Sequence, residues 1–381
     1  MTIQAQWGRT RGVDWSLAMI VRNAEPQLGQ LLDEAAVVCD ELIVVDTGST
    51  DETRTVAAEH GAKVFEFEWI DDFAAARNAS FEHCTGQWIL WLDADDRLPS
   101  EAQQGLLRLK EHLRNASEVN TVMIPYRIHF SSSDPTMCTF SFDRERVLRR
   151  STGPRWAGPV HECIEYAAPA LRWPDAWVEH RPLSEDLPEK VDRNLRILQR
   201  AVAAGDRSSR TLFYLGNELR DHERWDEALL AYEEYLEVAV AGGSVVWERY
   251  AATLSMAVCA EMLNRDDQKL SLLHAAVHLD STRAEAFLRL GLHFYNRREW
   301  LRAVPYFSAA SSLPRPADGF IDDIAYTWAP WDYLSICHSE LGMYEEALAE
   351  TVKALRTSHE SERLFANMRF YFERLRGTSG G

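Results

Sequence analysis

In the segment WILWLDADDRLP an apolar run stops and is followed at once by Asp93, Ala94, Asp95 and Asp96. Carboxylates two residues apart on an extended chain point to the same side, so Asp93 and Asp95 can address one ligand together. A hard divalent cation that bridges a diphosphate takes carboxylate oxygens, and its charge stabilises a departing nucleoside diphosphate. The plain alternative is a solvated acidic loop that caps the next helix.

Three further segments bear on that choice. In LIVVDTGSTDET, Asp46 sits just past an apolar strand, where a carboxylate can accept hydrogen bonds from a base or a ribose. Ser49 to Glu52 has the composition of a helix start, and capping alone accounts for Ser49, Thr50 and Asp51. In DDFAAARNAS, Arg77 lies in a helix leading into the Asp93 strand, as a fixed positive charge near a phosphate would; an ion pair with Asp72 explains it equally well. In GPRWAGPVHECIEY, Glu162 follows a Gly- and Pro-rich stretch on an extended segment, a carboxylate able to act as a general base. His180 comes next in VEHRPL and offers a metal one more ligand. His161 and His180 each also read as a buried, hydrogen-bonded structural histidine.

The elements that must hold these residues alternate. Leu17 to Val21, Leu42 to Val45, Lys63 to Phe67 and Trp88 to Leu92 read as strands, and Leu28 to Val38, Asp51 to His60 and Phe73 to Cys84 as helices. Such spacing predicts a parallel α/β sheet, whose ligands bind at the carboxyl ends of the strands. From Val122 to His180 the pattern is extended and broken by Gly and Pro. Beyond about Leu187 it is helical and repetitive. LFYLGNELRDHERWDEALLAYEEYL aligns with FLRLGLHFYNRREWLRAVPYFSAAS through Leu215-Gly216 and Leu290-Gly291, Trp225 and Trp300, Ala228 and Ala303. A third copy keeps Leu334, Gly342, Tyr344 and Ala347, and a weaker one spans Ala252 to Ala276. This is the tetratricopeptide pattern, with small residues where paired helices cross and aromatics between them. Trp247, Trp300, Trp328 and Trp331 belong to such an array more readily as core than as contact surface.

The 381 residues suffice for two or three domains, and 46% hydrophobic with 26% charged residues is a globular composition. A formal charge of −18 disfavours nucleic acid and anionic membrane as partners. Six scattered cysteines without a C-x-x-C pair predict reduced, mostly buried thiols. MTIQAQWGRTRGVDW has no signal-peptide apolar run, and no apolar stretch approaches the length of a membrane span. The expectation is a cytoplasmic protein.

Taken in order, SLAMIVRNAE, LIVVDTGSTDET, DDFAAARN and WILWLDADD resemble the family 2 inverting glycosyltransferases of the GT-A fold. The resemblance is closest to the subgroup that continues into tetratricopeptide repeats, which includes the sublancin-type bacterial S-glycosyltransferases. It implies an α/β N-terminal GT-A domain, Rossmann-like and nucleotide-sugar-binding, over residues 14–185, a linker helix over 186–208, and an all-α tetratricopeptide-repeat domain over 209–376. Carried over by position, it implies that Val21 and Asp46 hold the nucleobase and ribose and that Arg77 faces the nucleotide. Asp93 and Asp95, with Ala94 between them, form the D-x-D site for metal and ribose, and His180 is the third ligand of Mg2+ or Mn2+. Glu162 is the catalytic base, while Lys190 and Arg193 meet the diphosphate or form a solvated helix face. Relatives commonly read N-E-E where this chain has Asn23, Ala24 and Glu25, and here the D-x-D is followed by a third acid, Asp96. The implied partners are a nucleotide-sugar donor, UDP-linked by preference, a peptide or protein acceptor, and a second copy joined through the repeats near Leu364 to Leu375. A repeat-based interaction scaffold with an inactive GT-A domain is the rival reading.

Overall fold

The apolar run WSLAMIV is strand β1 (Trp15–Val21), buried at every position but Ile20. Alternation along it feeds two cores. Leu17, Met19 and Val21 pack with Leu28, Leu31 and Leu32 on one face, while Ala18 packs with Ile43, Ala74, Trp91 and Trp156 on the other. A strand covered on both sides has little use for polar side chains, which is why its sequence is almost continuously apolar.

The structure is a computed structural model that describes residues 14–130, 136, 138–182, 188–242, 245–316, 319, 321–357 and 361–378. It divides into a unit ending at Ala201 and a unit starting at Val202. In the first, β1 is followed by α1 (Glu25–Ala36), β2 (Glu41–Asp46), α2 (Thr53–Glu59), β3 (Lys63–Glu66), α3 (Phe73–His83) and β4 (Trp88–Trp91). Next come β5 (Asp96–Arg97), α4 (Ser100–Leu113), β6 (Thr121–Phe130), β7 (Cys138–Arg149), β8 (Arg155–Ala157), β9 (Cys163–Glu165), β10 (Ala170–Arg172) and β11 (Val178–His180). Helix α5 (Pro188–Ala203) carries the chain to the division.

One large sheet runs in the order β3-β2-β1-β4-β7-β6-β11-β5, with β10 beside β6. β3, β2, β1 and β4 are mutually parallel; β7 is antiparallel to both β4 and β6. β8 and β9 form a separate antiparallel pair. The expected α/β architecture is therefore present, its parallel half β3-β2-β1-β4 continued by strands that make the whole sheet mixed. Its carboxyl edge carries Asp46, at the end of β2, and Asp93, just past β4.

At the opposite end of β2, Glu41 fastens the sheet. Its carboxylate accepts from Ser16 Oγ at 2.6 Å, Thr85 N at 2.9 Å and Lys63 Nζ at 2.8 Å. Burial works against its charge, but the Lys63 ammonium and the Ser16 and Thr85 donors hold its carboxyl down at about 2. A carboxyl lowered on folding stabilises above its unfolded value, and that stability is lost as pH falls through the folded one. Glu41→Gln should therefore cost about 3 kcal/mol at pH 7. The gap from wild type should close between about pH 4.5 and pH 2, as read by urea unfolding at several pH values.

The second unit is helical: α6 (Ser209–Asp221), α7 (Trp225–Gly242), α8 (Val246–Met262), α9 (Asp266–Leu279), α10 (Ala284–Asn296), α11 (Trp300–Ser312), α12 (Ala329–Glu340), α13 (Tyr344–Leu355) and α14 (Ser361–Thr378). The aligned sequence copies are the hairpins α6/α7, α10/α11 and α12/α13, and the weak copy is α8/α9. At Gly216 and Gly291 the crossing is close: an added Cβ would lie 2.6 Å from Tyr232 and 2.4 Å from Phe307. Gly342 has a different job from these two. It occupies a left-handed turn (φ 79°), the place held by Glu223, Asn264 and Arg298 in the other hairpins (φ 56–59°). Trp300, Trp328 and Trp331 pack partly buried against the apolar core. No helix among the described residues is long and apolar enough to cross a membrane. All six cysteines are unbridged, and Cys39, Cys84, Cys259 and Cys337 are buried.

Candidate active site

Helix α3 starts where Asp72 accepts from Ala75 N at 2.9 Å, so Asp72 is a helix cap and does not pair with Arg77. One turn later, Arg77 forks between two acids from distant parts of the chain. Its Nη2 donates to Asp93 Oδ1 at 2.7 Å and its Nε to Glu162 Oε1 at 2.6 Å. The guanidinium lies 4.8 Å from the ring centre of Trp156 and 5.3 Å from that of Trp91. Burial opposes its charge, but Asp93 and then Glu162 raise its pKa beyond the usual arginine range. At Asp93 burial is outweighed by Arg77 and Arg146, so its carboxyl sits below the normal range.

Glu162 reaches this place because α3 grips its segment. Asn78 Nδ2 donates to Trp156 O at 2.9 Å, Trp156 N to Asn78 Oδ1 at 2.8 Å, and Phe73 N to Pro159 O at 2.8 Å. The adjacent Arg77-Asn78 pair thus serves two ends: Asn78 fixes the backbone, and Arg77 fixes the acid that this backbone presents. Residue 161 adopts a left-handed conformation (His161 φ 51°) just before Glu162.

Beyond β4 the chain turns at Ala94–Asp95, and Asp96 N donates back to Asp93 O at 3.0 Å. β5 pairs with β11 so that Asp96 stands opposite His180, and Arg181 N donates to Asp95 O at 2.7 Å. The outcome is a cluster of Asp95, Asp96 and His180 whose ligand atoms lie within 4.8 Å of one another. Asp93 faces Arg77 instead. In the cluster, His180 Nδ1 is buried without a hydrogen-bond partner among the described residues, with Asp95 Oδ1 3.6 Å away. Asp96 Oδ1 is likewise buried with no hydrogen-bond partner among the described residues. Burial, against the pull of Arg146, lifts the Asp96 carboxyl to about 6. Two orphaned acceptors beside an accessible carboxylate are what a divalent cation would complete. An imidazole in the set suits Mn2+ at least as well as Mg2+.

The β1 and β2 ends lie alongside in the sheet, with Val21 opposite Asp46. Val21 O accepts from Thr47 N at 2.9 Å. The Asp46 carboxylate, almost fully buried, accepts from Gly48 N at 3.2 Å and Ser49 N at 3.1 Å, a turn that Gly48 completes at φ 101°. Ser49 Oγ accepts from Asn23 N at 2.9 Å and Thr50 N donates to Asn23 Oδ1 at 2.8 Å, so these residues tie the β1 loop rather than cap α2. Asp51 accepts from Thr53 N at 3.1 Å, just ahead of α2, whose N-cap is Glu52. Ala94 packs partly buried against the core. Arg193 lies over Phe73 at 4.7 Å, at the start of α3. The side chain of Lys190 lies outside the described residues.

Arg146, Trp91, Trp156 and Asn78 belong to this arrangement and were not singled out by sequence reasoning. A signal for Arg146 exists: it falls in a strand that continues into Val147-Leu148, and an arginine there needs a buried acid.

Residues 16–167 match the family profile described as Glycosyl transferase family 2. The chain is 33% identical over 210 residues to a TPR repeat-containing protein of Synechococcus elongatus, covering 51% of this chain and 46% of that protein. It is 24% identical over 230 residues to the SPbeta prophage-derived glycosyltransferase SunS of Bacillus subtilis, covering 58% and 52%. The chain thus spans about half the length of these curated relatives. Among solved structures it is similar to the C-terminal part of a TPR repeat-containing protein from Cytophaga hutchinsonii (15% identity, 50% of this chain and 69% of that one, TM-score 0.41). It is also similar to glucosyl-3-phosphoglycerate synthase from Mycobacterium tuberculosis in complex with Mn2+, UDP-glucose and phosphoglyceric acid (24% identity, 30% and 45%, TM-score 0.27).

Proposed function

We propose that the protein, whose residues 16–167 match the glycosyl transferase family 2 profile and whose chain continues into helical repeats, is a cytoplasmic, metal-dependent inverting glycosyltransferase. It moves a sugar from a nucleotide-sugar donor, UDP-linked by preference, to a peptide or protein acceptor. The catalytic domain is residues 14–185, the linker helix 186–208, and the repeats 209–376 select the acceptor. The observation that supports this most is a single fork: Arg77 joins Asp93 to Glu162 beside the Asp95, Asp96 and His180 cluster.

In this reading the ends of β1 and β2 seat the base and ribose, through Val21 and Asp46. Asp95 and His180, with Asp93 or Asp96 as the further carboxylate, would hold Mg2+ or Mn2+. When bound, the cation supplies positive charge to the leaving diphosphate. Arg77 fixes the direction of the Glu162 carboxylate, so that it can take the proton from the acceptor nucleophile as that atom attacks the anomeric carbon. A single displacement inverts that carbon. Arg193 stands near α3, on the donor side of the same reading, and Lys190 precedes it by three residues.

For the acceptor, the repeats offer a cleft of about 360 Å³ lined by Phe213, Asn217, Arg220, Tyr250, Leu254 and Arg289. Its mixture of rings, amide and guanidinium suits an extended peptide. Exposed Phe365, Phe370 and Phe372 on α14 suit pairing of two copies through the repeats. The test is a panel of UDP- and GDP-sugars incubated with Mn2+ and a peptide library, followed by mass spectrometry. A hexose- or N-acetylhexosamine-sized mass gain with release of one nucleotide is expected. Nucleotide binding without transfer to any peptide would turn the acceptor search toward glycans and small metabolites.

A further inference from the structure

The acidic loop is held by two arginines, and only one of them faces the reaction. Arg146, on β7, is wholly excluded from solvent. Its guanidinium lies 3.8 Å from the ring centre of Trp91 and 4.3 Å from that of Tyr126. Its Nη1 donates to Asp96 Oδ2 at 3.0 Å and to Trp91 O at 3.3 Å. Asp93 N adds a second bond to the same Asp96 Oδ2, at 2.9 Å. Both donors therefore act on one oxygen, and the other, Oδ1, is buried with no hydrogen-bond partner among the described residues; the Tyr126 hydroxyl also interacts with the Asp96 carboxyl. His180, on the strand paired with Asp96, has a buried Nδ1 in the same condition.

A buried arginine is costly to desolvate, and among the described residues this one makes a single ion pair, to Asp96. The other candidate acid, Asp93, is already held by Arg77. We propose that Arg146 is a positioning residue for the divalent-cation site, fixing Asp96 in the one orientation that leaves Oδ1 to join Asp95 and His180. The inference rests on the metal reading given above and makes Asp96, rather than Asp93, the second carboxylate ligand. A carboxylate pinned through one oxygen has no rotamer freedom left to lose when a cation meets the other, so its orientation translates directly into affinity. Arg146 touches neither sugar nor nucleotide in this account and acts through Asp96 alone.

The test is Mn2+ affinity of the full chain without nucleotide, read by the electron paramagnetic resonance of free Mn2+. Wild type, Arg146→Met, Arg146→Lys, Asp96→Asn and the Arg146→Met/Asp96→Asn double variant are compared, with near-UV circular dichroism to confirm packing around Trp91. Arg146→Met is expected to weaken Mn2+ binding about 10- to 100-fold, the usual range for the support of a metal ligand. Arg146→Lys should recover part of that loss, and the double variant should bind no worse than Asp96→Asn alone. Should Arg146→Met fail to fold, Arg146→Gln, which keeps a neutral donor beside Asp96 Oδ2, takes its place, and its effect on Mn2+ should likewise vanish in the Asp96→Asn background. Wild-type affinity in Arg146→Met, or losses that add in the double variant, would overturn the proposal. A wild type that binds no Mn2+ would instead overturn the cation site itself, and is visible before any substitution is made.

Discussion

Glu162→Gln should lower sugar transfer by roughly 10²- to 10⁴-fold, the usual contribution of a general base, while UDP affinity in the presence of Mn2+ stays within about threefold of wild type. The substitution is nearly isosteric. The amide oxygen can still accept from Arg77 Nε, now 2.6 Å from Glu162 Oε1, so the fork and the ring stacking around it are kept. What disappears is the capacity to take a proton. A loss confined to kcat, with donor binding preserved, is the signature of an interaction made only in the transition state. Full activity in this variant would mean that Glu162 merely anchors Arg77 and that the base lies elsewhere.

The second large effect is expected at Arg77→Met. The side chains of Arg77 and Glu162 are each only 13% exposed, and that of Asp93 29%. Removing the cation leaves two poorly solvated carboxylates without a partner, and breaking a buried pair of this kind costs about 3–5 kcal/mol. Transfer should fall at least as far as in Glu162→Gln, because the base loses its direction along with its counter-charge. The sign of the pH dependence checks the cause. In the wild type Asp93 is held ionised by Arg77 against its burial, so it stabilises at neutral pH and loses that contribution on acidification. In the variant burial is opposed only by the more distant Arg146 and Arg144, and protonation relieves it. The stability gap should therefore be widest near pH 7 and narrow below about pH 4. Urea unfolding at both values reads this directly, and a gap that did not change with pH would point to lost packing against Trp91 and Trp156.

Much of this site is legible in the sequence because it is local. Apolar runs ended by acids mark the carboxyl edge of a parallel sheet, and the repeats announce themselves by recurring Leu-Gly and Ala. What is not legible depends on distance along the chain. The Arg77 to Glu162 bond joins residues 85 apart, and Asn78, which makes the approach feasible, looks from sequence like any polar helix residue. The carboxylates after β4 illustrate a second limit. The alternation that puts Asp93 and Asp95 on one side holds only for extended backbone, and here the chain turns at Ala94–Asp95. That turn sends Asp93 to Arg77 and brings Asp96 under its amide, next to His180. Gly342 shows the same thing in the repeats: by alignment it is one more small residue, whereas its backbone is that of a helix-ending turn.

Whether the carboxyl edge of the sheet holds a working, cation-dependent donor site is decided by calorimetric titration of UDP and GDP. The titrations are run with Mn2+, with EDTA, and with Asp95→Ala, whose side chain is 30% exposed and bound to none of the buried arginines. Micromolar binding of one nucleotide is expected with Mn2+, with at least about 100-fold weaker binding without it (about 3 kcal/mol) and a similar loss in the variant. Equal affinity with and without the cation, or binding unaffected by Asp95→Ala, would contradict such a site.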